Sequence, residues 1–330
     1  MIISGEGIDR LTLAEAEEPT PGPFEVVVEM RATSLNYRDL ITVQTGASGN
    51  SGLVPNSCGA GTVVQVGSEV SRVGVGDRVT PLFFQKWLAG PPTAEGLGSA
   101  LGGAYDGCLQ DRMLLNEQGV ARIPDYLSFD EASTLPCAAL TAWRALVEEG
   151  NLRAGETVLV QGTGGVSVFA LQFAKMFGAE VIITSSSDDK LDVARELGAD
   201  HTVNYRTEPE WAKAVRRLTG GRGVDHVVEV GGAETLQQSI AAVALGGHIH
   251  LIGVLSGFVK DVNVAQLFAT NARLHGITVG SRLMFENMVR AMALHHTHPV
   301  IDRTFGFADT REAFRLMESG GHFGKIVINH

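Results

Sequence analysis

The chain has 330 residues, 44% hydrophobic and 19% charged, enough for two ordinary folded domains with full cores. A net charge of −11 argues against a general nucleic-acid surface, which needs clustered Lys and Arg, but leaves room for a local basic pocket. Cys58, Cys108 and Cys137 lie far apart, which excludes a disulfide framework and a four-cysteine zinc site.

The opening stretch MIISGEGIDR lacks a basic region followed by an apolar core, so no signal peptide is read there. No apolar run reaches the roughly 18 residues that a membrane span requires. The expectation is a cytoplasmic protein with no membrane partner. The first third carries the short β-branched runs EVVVEM, GTVVQVG and GDRVTPLF, broken by PTPGP and GASGNSG, a pattern for an antiparallel, barrel-like β domain. Ser128 and Glu131 then have capping-box spacing, and Gly150 is placed to end the helical stretch that follows.

From there strands and helices alternate. TVLVQ (157–161) leads to a helix with Val166, Phe169, Ala170, Phe173, Ala174 and Phe177 on one face. VIIT (181–184) leads to a helix around Lys190 to Leu197, and TVNY (202–205) to one containing Trp211 and Val215. HVVEV (226–230) leads to a helix from Glu234 to Val243, and HIHLIG (248–253) and LHGITV (274–279) complete six strands. Such alternation predicts an α/β fold, a doubly wound six-stranded parallel Rossmann sheet, with LHGITV at its edge. The terminal stretch ends in a short strand, expected to return to the first domain.

Between the first strand and its helix lies Gly162-Thr163-Gly164-Gly165-Val166-Ser167. Glycines there let backbone approach a pyrophosphate, and the helix start offers free N–H groups and a positive dipole end. NAD-binding sheets place an acid about 20 residues on, against the ribose 2′-hydroxyl. Here the strand ends in TSSSDDK, so Ser185, Ser186, Lys190 and Tyr205 are candidates for a 2′-phosphate, which points to NADP(H). For Lys190 a solvated helix charge is the competing reading.

VGDRV, TLPCAALTAW, GTGGVS and HFGKIVI, in that order after a β-rich start, resemble the medium-chain dehydrogenase/reductase superfamily along nearly the whole chain. SLNYRDL and SSSDDK look like its zinc-free, quinone-reductase-like branch. The resemblance implies a GroES-like β-barrel catalytic domain over 1–123 and 295–330, and a Rossmann dinucleotide-binding domain over 124–294. Aligned with zinc alcohol dehydrogenases, Asn36 falls at a cysteine ligand, Ser57 at the histidine and Cys58 at the acid, while Cys137 survives. No catalytic metal is therefore expected.

Without a Lewis acid, hydride delivery suits a quinone or an α,β-unsaturated carbonyl, whose developing oxyanion is delocalised. Alcohol or aldehyde oxidoreduction and a cofactor-binding protein with little turnover are the alternatives. The resemblance puts Asn36 near the nicotinamide as a candidate donor, with Tyr37 and Arg38 as neighbouring catalytic candidates; a turn-capping Asn36 and an Arg38–Asp39 pair are the structural readings. It also brings Thr141, the Gly253-Val254-Leu255 loop and Phe323-Gly324-Lys325 to the cofactor. Ser57, Phe84 and Trp87 are candidates for an acceptor pocket, with aromatic core packing as the other reading of the last two. His201, His226, His248 and His250 are spread over strand ends without ligand-like pairing on a helix, so no metal site is predicted. Pairing of the exposed sheet edge predicts a homodimer.

Overall fold

Seven strands build the first sheet around Glu25–Ser34, whose residues Val26, Val28 and Met30 are buried against Val63, Val79 and Met113. Burying each such side chain contributes about 1.5–3 kcal/mol. Through the sheet the order is Ile301–Gly306, Lys325–Asn329, Glu25–Ser34, Cys58–Val66, Arg78–Pro81 and Val120–Arg122, with Arg112–Asn116 also paired to Glu25–Ser34. All neighbours are antiparallel except the first two. The C-terminal strand thus closes on Glu25–Ser34, with Val327 opposite Ser34.

The computed structural model describes Met1–His330 and divides into two units, Met1–Leu140 with Val279–His330, and Thr141–Thr278. Residues 124–140 and 279–294, grouped with the nucleotide domain in the sequence reading, fall in the first unit. Local hydrogen bonds account for this: Ser34 Oγ donates to Ser133 O at 2.9 Å, and Leu283 N to Leu88 O at 3.0 Å. The Ser128–Glu131 capping box opens the helix Phe129–Ser133. A π-type turn, Leu135–Ala139, continues it and carries Cys137. Pro136 supplies no N–H there, which disfavours a regular ladder.

The second unit is a six-stranded sheet in the order His201–Asn204, Glu180–Ser185, Thr157–Gln161, Val224–Glu229, Val243–Leu251, Arg273–Gly276, parallel throughout. Thr157–Gln161 is buried along its whole length, as expected of a strand covered on both faces. From it the chain winds outward in both directions, so its C-terminal end is the switch point where ligands bind in such sheets. The helix Gly165–Met176 buries Phe169, Ala170, Phe173 and Ala174 as its periodicity required, with Phe173 and Phe177 edge-on to Trp143. Arg273–Gly276 is an edge strand. No helix is long and apolar enough to cross a membrane.

Candidate active site

At the switch point, Gly162 has φ 67°, a conformation that only glycine adopts without strain. A Cβ built on Gly162 or on Gly164 meets nothing within 4 Å, so the turn is bare on its open side. Gly164 caps the helix Gly165–Met176 without a side-chain hydrogen bond, leaving the first N–H groups to an anion. Ser167 is turned the other way: its Oγ donates to Gln161 O at 2.7 Å and is buried, which pins the turn. Thr163 is buried and Val166 half-buried. These are the features a pyrophosphate needs, and the turn fits a dinucleotide.

One strand over, Ser185 is buried at the end of Glu180–Ser185, and Tyr205 N donates to Ser185 O at 3.0 Å. Ser186 follows on the turn, and Ser187 caps the helix Asp188–Glu196, with Lys190 as its third residue. Ser185 and Tyr205 thus lie side by side at neighbouring strand ends, and Ser186 and Lys190 follow Ser185 along the chain. Asp188, at the first helical position, was passed over in the sequence reading; its carboxylate accepts from Asn204 Nδ2 at 2.7 Å.

Behind the turn lies a second feature that sequence reasoning missed. Buried Glu229 accepts from Gln161 Nε2 at 2.7 Å, from Gly231 N and Gly232 N at 2.9 Å, from Thr235 Oγ1, and from Ser239 Oγ. A carboxylate so engaged fixes the end of Val224–Glu229 to the helix that follows. The glycine pair directly after an acid-ending strand, EVGG, was the available signal. The segment at Gly253-Val254-Leu255 hangs on the same point, since Gly253 N donates to Glu229 O at 3.2 Å. Leu255 is exposed there, and Thr141 is buried.

In the first unit, Asn36 is the hub of a buried polar cluster. Its Nδ2 donates to Ser57 Oγ at 3.2 Å and to Cys58 Sγ at 3.1 Å, and its Oδ1 accepts from Lys325 Nζ at 2.6 Å. Ser57 Oγ donates to Asp39 Oδ1 at 2.8 Å, and Asn36 N to Asp39 Oδ2 at 2.9 Å. Lys325 Nζ also donates to Leu35 O. Both amide hydrogens of Asn36 are thus committed within the protein. Asn36 also caps the helix Tyr37–Gln44 in a box with Asp39, so the capping and the cluster readings hold together.

The cluster's electrostatics centre on sulfur. Burial would raise the Cys58 thiol, but a hydrogen bond from Cys137, the Lys325 charge and the Asn36 amide bring it below its ordinary value. The Cys137 thiol is held well above its own by that same bond to Cys58 and by burial. Burial lowers the Lys325 ammonium, against the pull of Cys58, Cys137 and Asp39. Cys137 is therefore a partner within a polar cluster.

The remaining candidates scatter. Tyr37 is 41% exposed. Arg38 lies 3.6 Å from Asp39, donates to Leu101 O at 2.7 Å and stacks over Phe83, so its contacts are structural. Phe84 and Trp87 are buried rings packed 5.8 Å apart, with Trp87 Nε1 donating to Gly90 O. Phe323 N donates to Asp302 Oδ1, and Gly324 has φ 75° with Val300 O close behind it, which aims Lys325 inward. His226, His248 and His250, expected to be dispersed, instead stack with one another and with His275 on neighbouring strands, while His201 lies apart, 3.1 Å from Glu180. That correction has a simple cause: parallel register sets His226 beside His248 and His250 beside His275.

Residues 165–294 match the family model described as zinc-binding dehydrogenase, and residues 22–125 that of the alcohol dehydrogenase GroES-like domain. The zinc-type alcohol dehydrogenase-like protein C1773.06c of Schizosaccharomyces pombe is 44% identical over 98% of this chain and 96% of its own. A solved NAD-dependent alcohol dehydrogenase superposes with a TM-score of 0.90 at 35% identity, covering 100% of this chain and 98% of that one. A quinone oxidoreductase of Pseudomonas syringae pv. Tomato DC3000 does so with 0.83 at 28%, over 100% and 98%.

Proposed function

We propose, from the premise that this chain belongs to the medium-chain dehydrogenase/reductase superfamily and is an oxidoreductase, that it reduces a quinone or an α,β-unsaturated carbonyl with NADPH and without zinc. The observation that carries this reading is the Lys325 ammonium lodged against Asn36, in the cluster that the resemblance aligns with the zinc ligands of zinc alcohol dehydrogenases. Zinc fits this cluster poorly. It offers two thiols, a hydroxyl and a carboxamide, with a cation already among them, where a zinc site collects three or four electron-pair donors around the metal.

When bound, NADPH supplies the hydride. The bare Gly162–Gly165 turn and the uncapped helix start hold its pyrophosphate, and Glu229 keeps the neighbouring backbone rigid. Ser185, Ser186, Lys190 and Tyr205 receive the 2′-phosphate. Asn36 is a positioning residue, since its carboxamide is fully engaged with Lys325, Ser57 and Cys58. A conjugated acceptor suits such a site because its oxyanion is spread over the conjugated system and needs no metal.

The test is a screen of NADPH and NADH oxidation over quinones, enones, aldehydes and ketones, run with and without a chelator. Chelator-resistant NADPH oxidation by quinones or enones supports the reading. Chelator-sensitive, NAD-linked alcohol oxidation would replace it with the alternative that the NAD-dependent neighbour represents.

A further inference from the structure

Three imidazoles meet on the second unit's sheet, His226 and His248 level with Val158 and His250 level with Val160. His226 Nδ1 lies 3.2 Å from His250 Nε2, and one ring nitrogen from each of His226, His248 and His250 falls within 4.8 Å of the others. A separation of 3.2 Å is close to the edge of a coordination tetrahedron with metal–nitrogen bonds of about 2.0 Å. On its other side, His226 Nε2 is 3.1 Å from Glu156 Oε2. A carboxylate on the second ring nitrogen is the usual support of a metal-bound histidine: it fixes the tautomer and leaves Nδ1 as the ligand atom.

A cavity of about 520 Å³ is lined by His226, His248, Glu156, Asp225 and Arg273, among others. Two buried ring nitrogens on the cluster, His248 Nδ1 and His250 Nδ1, have no hydrogen-bond partner. Gly150 makes room for the cluster, because a Cβ there would lie 3.1 Å from His226 Cε1.

We propose that His226, His248 and His250 bind one divalent transition-metal cation of the zinc class, with Glu156 orienting His226 and water completing the shell. His226 and His248 are level with Val158, and His250 with Val160, so about 7–13 Å of strand separates the ligand residues from the cofactor turn that begins at Gly162. The metal would tie Val224–Glu229 to Val243–Leu251 and stabilise the sheet, apart from hydride transfer. Arg273 opposes it. Its Nη1 donates to His248 Nε2 at 2.9 Å, so a metal on either nitrogen of that ring must displace the guanidinium or leave a ring N–H facing it.

The test uses the full chain without a histidine tag, titrated with Zn2+ by calorimetry and with Co2+ by visible absorption. We expect one ion per chain, cobalt d–d bands and no thiolate-to-cobalt band, which separates this site from Cys58 and Cys137. The half-exposed His248→Gln should weaken binding about a hundredfold and Glu156→Gln about tenfold, with circular dichroism and NADPH affinity unchanged. Arg273→Gln should tighten it. Absence of saturable binding in the wild type, or undiminished affinity in folded His248→Gln, overturns the proposal. A thiolate band would overturn it too, and would count separately against the zinc-free reading of the Asn36 cluster.

Discussion

Lys325 reaches back across 289 residues of chain to place its ammonium 2.6 Å from Asn36 Oδ1. Lys325→Met keeps the stem but leaves that oxygen and Leu35 O without their donor. A hydrogen bond to a charged group contributes about 1.5–3 kcal/mol, so the urea midpoint should fall by the equivalent of about 2 kcal/mol. A variant as stable as the wild type would show that the ammonium holds nothing in place.

The same cluster predicts the response to chelation. With a carboxamide at Asn36 and a hydroxyl at Ser57, reductase activity should survive prolonged treatment with a strong chelator. Loss of activity, restored by adding zinc, would refute this. Zinc held by the histidine cluster leaves the prediction intact, because its removal should lower the melting temperature and spare turnover.

At the ribose corner, Lys190→Ala should weaken NADPH binding about ten- to a hundredfold, the value of one charge-assisted hydrogen bond. NADH has no 2′-phosphate and should be held nearly as well as before. Titration of both cofactors against both proteins decides the matter. Tighter NADH binding in the wild type, or equal loss of both in the mutant, would return the corner to NAD, with Asp188 as the nearby acid.

Stability should depend on pH through Glu117. Burial would raise this carboxyl, but the N–H groups of Ser71 and Arg72, each 2.8 Å from Oε2, and the Arg72 charge bring it below its ordinary 4.5. A depressed carboxyl stabilises the fold above its unfolded value and loses that contribution as pH falls through the folded one. The gap in unfolding midpoint between wild type and Glu117→Gln should therefore be widest near neutrality and close below about pH 4.5. A gap that stays constant down to pH 3 would mean that the charge is not what Glu117 contributes.

Arg273–Gly276 presents an unpaired edge, with Leu274 40% exposed. Two-fold pairing along it would cover a backbone that otherwise invites aggregation. Light scattering at micromolar concentration should report a dimer, and Leu274→Lys should shift it towards monomer. A monomeric wild type would leave the edge to be explained by other means.

Local order was legible from the residues alone. The six parallel strands, the turn at Gly162–Ser167, the Ser128–Glu131 cap and the buried face of Gly165–Met176 depend on periods of two or 3.6 residues and on glycine's backbone freedom, which a short stretch of chain carries by itself. The Glu229 network escaped because an acid at a strand end reads as surface until both its oxygens are seen to be paired.

What only the tertiary structure decided is which distant side chains share a space. The chain order of Asn36, Cys58, Cys137 and Lys325 does not say that a closing strand brings an ammonium to a thiol pair. His226, His248 and His250 read as scattered because they fall on two strands far apart in the chain. Parallel register stacks them, and register is set by the packing of the whole sheet, a sum over contacts that no single segment contains.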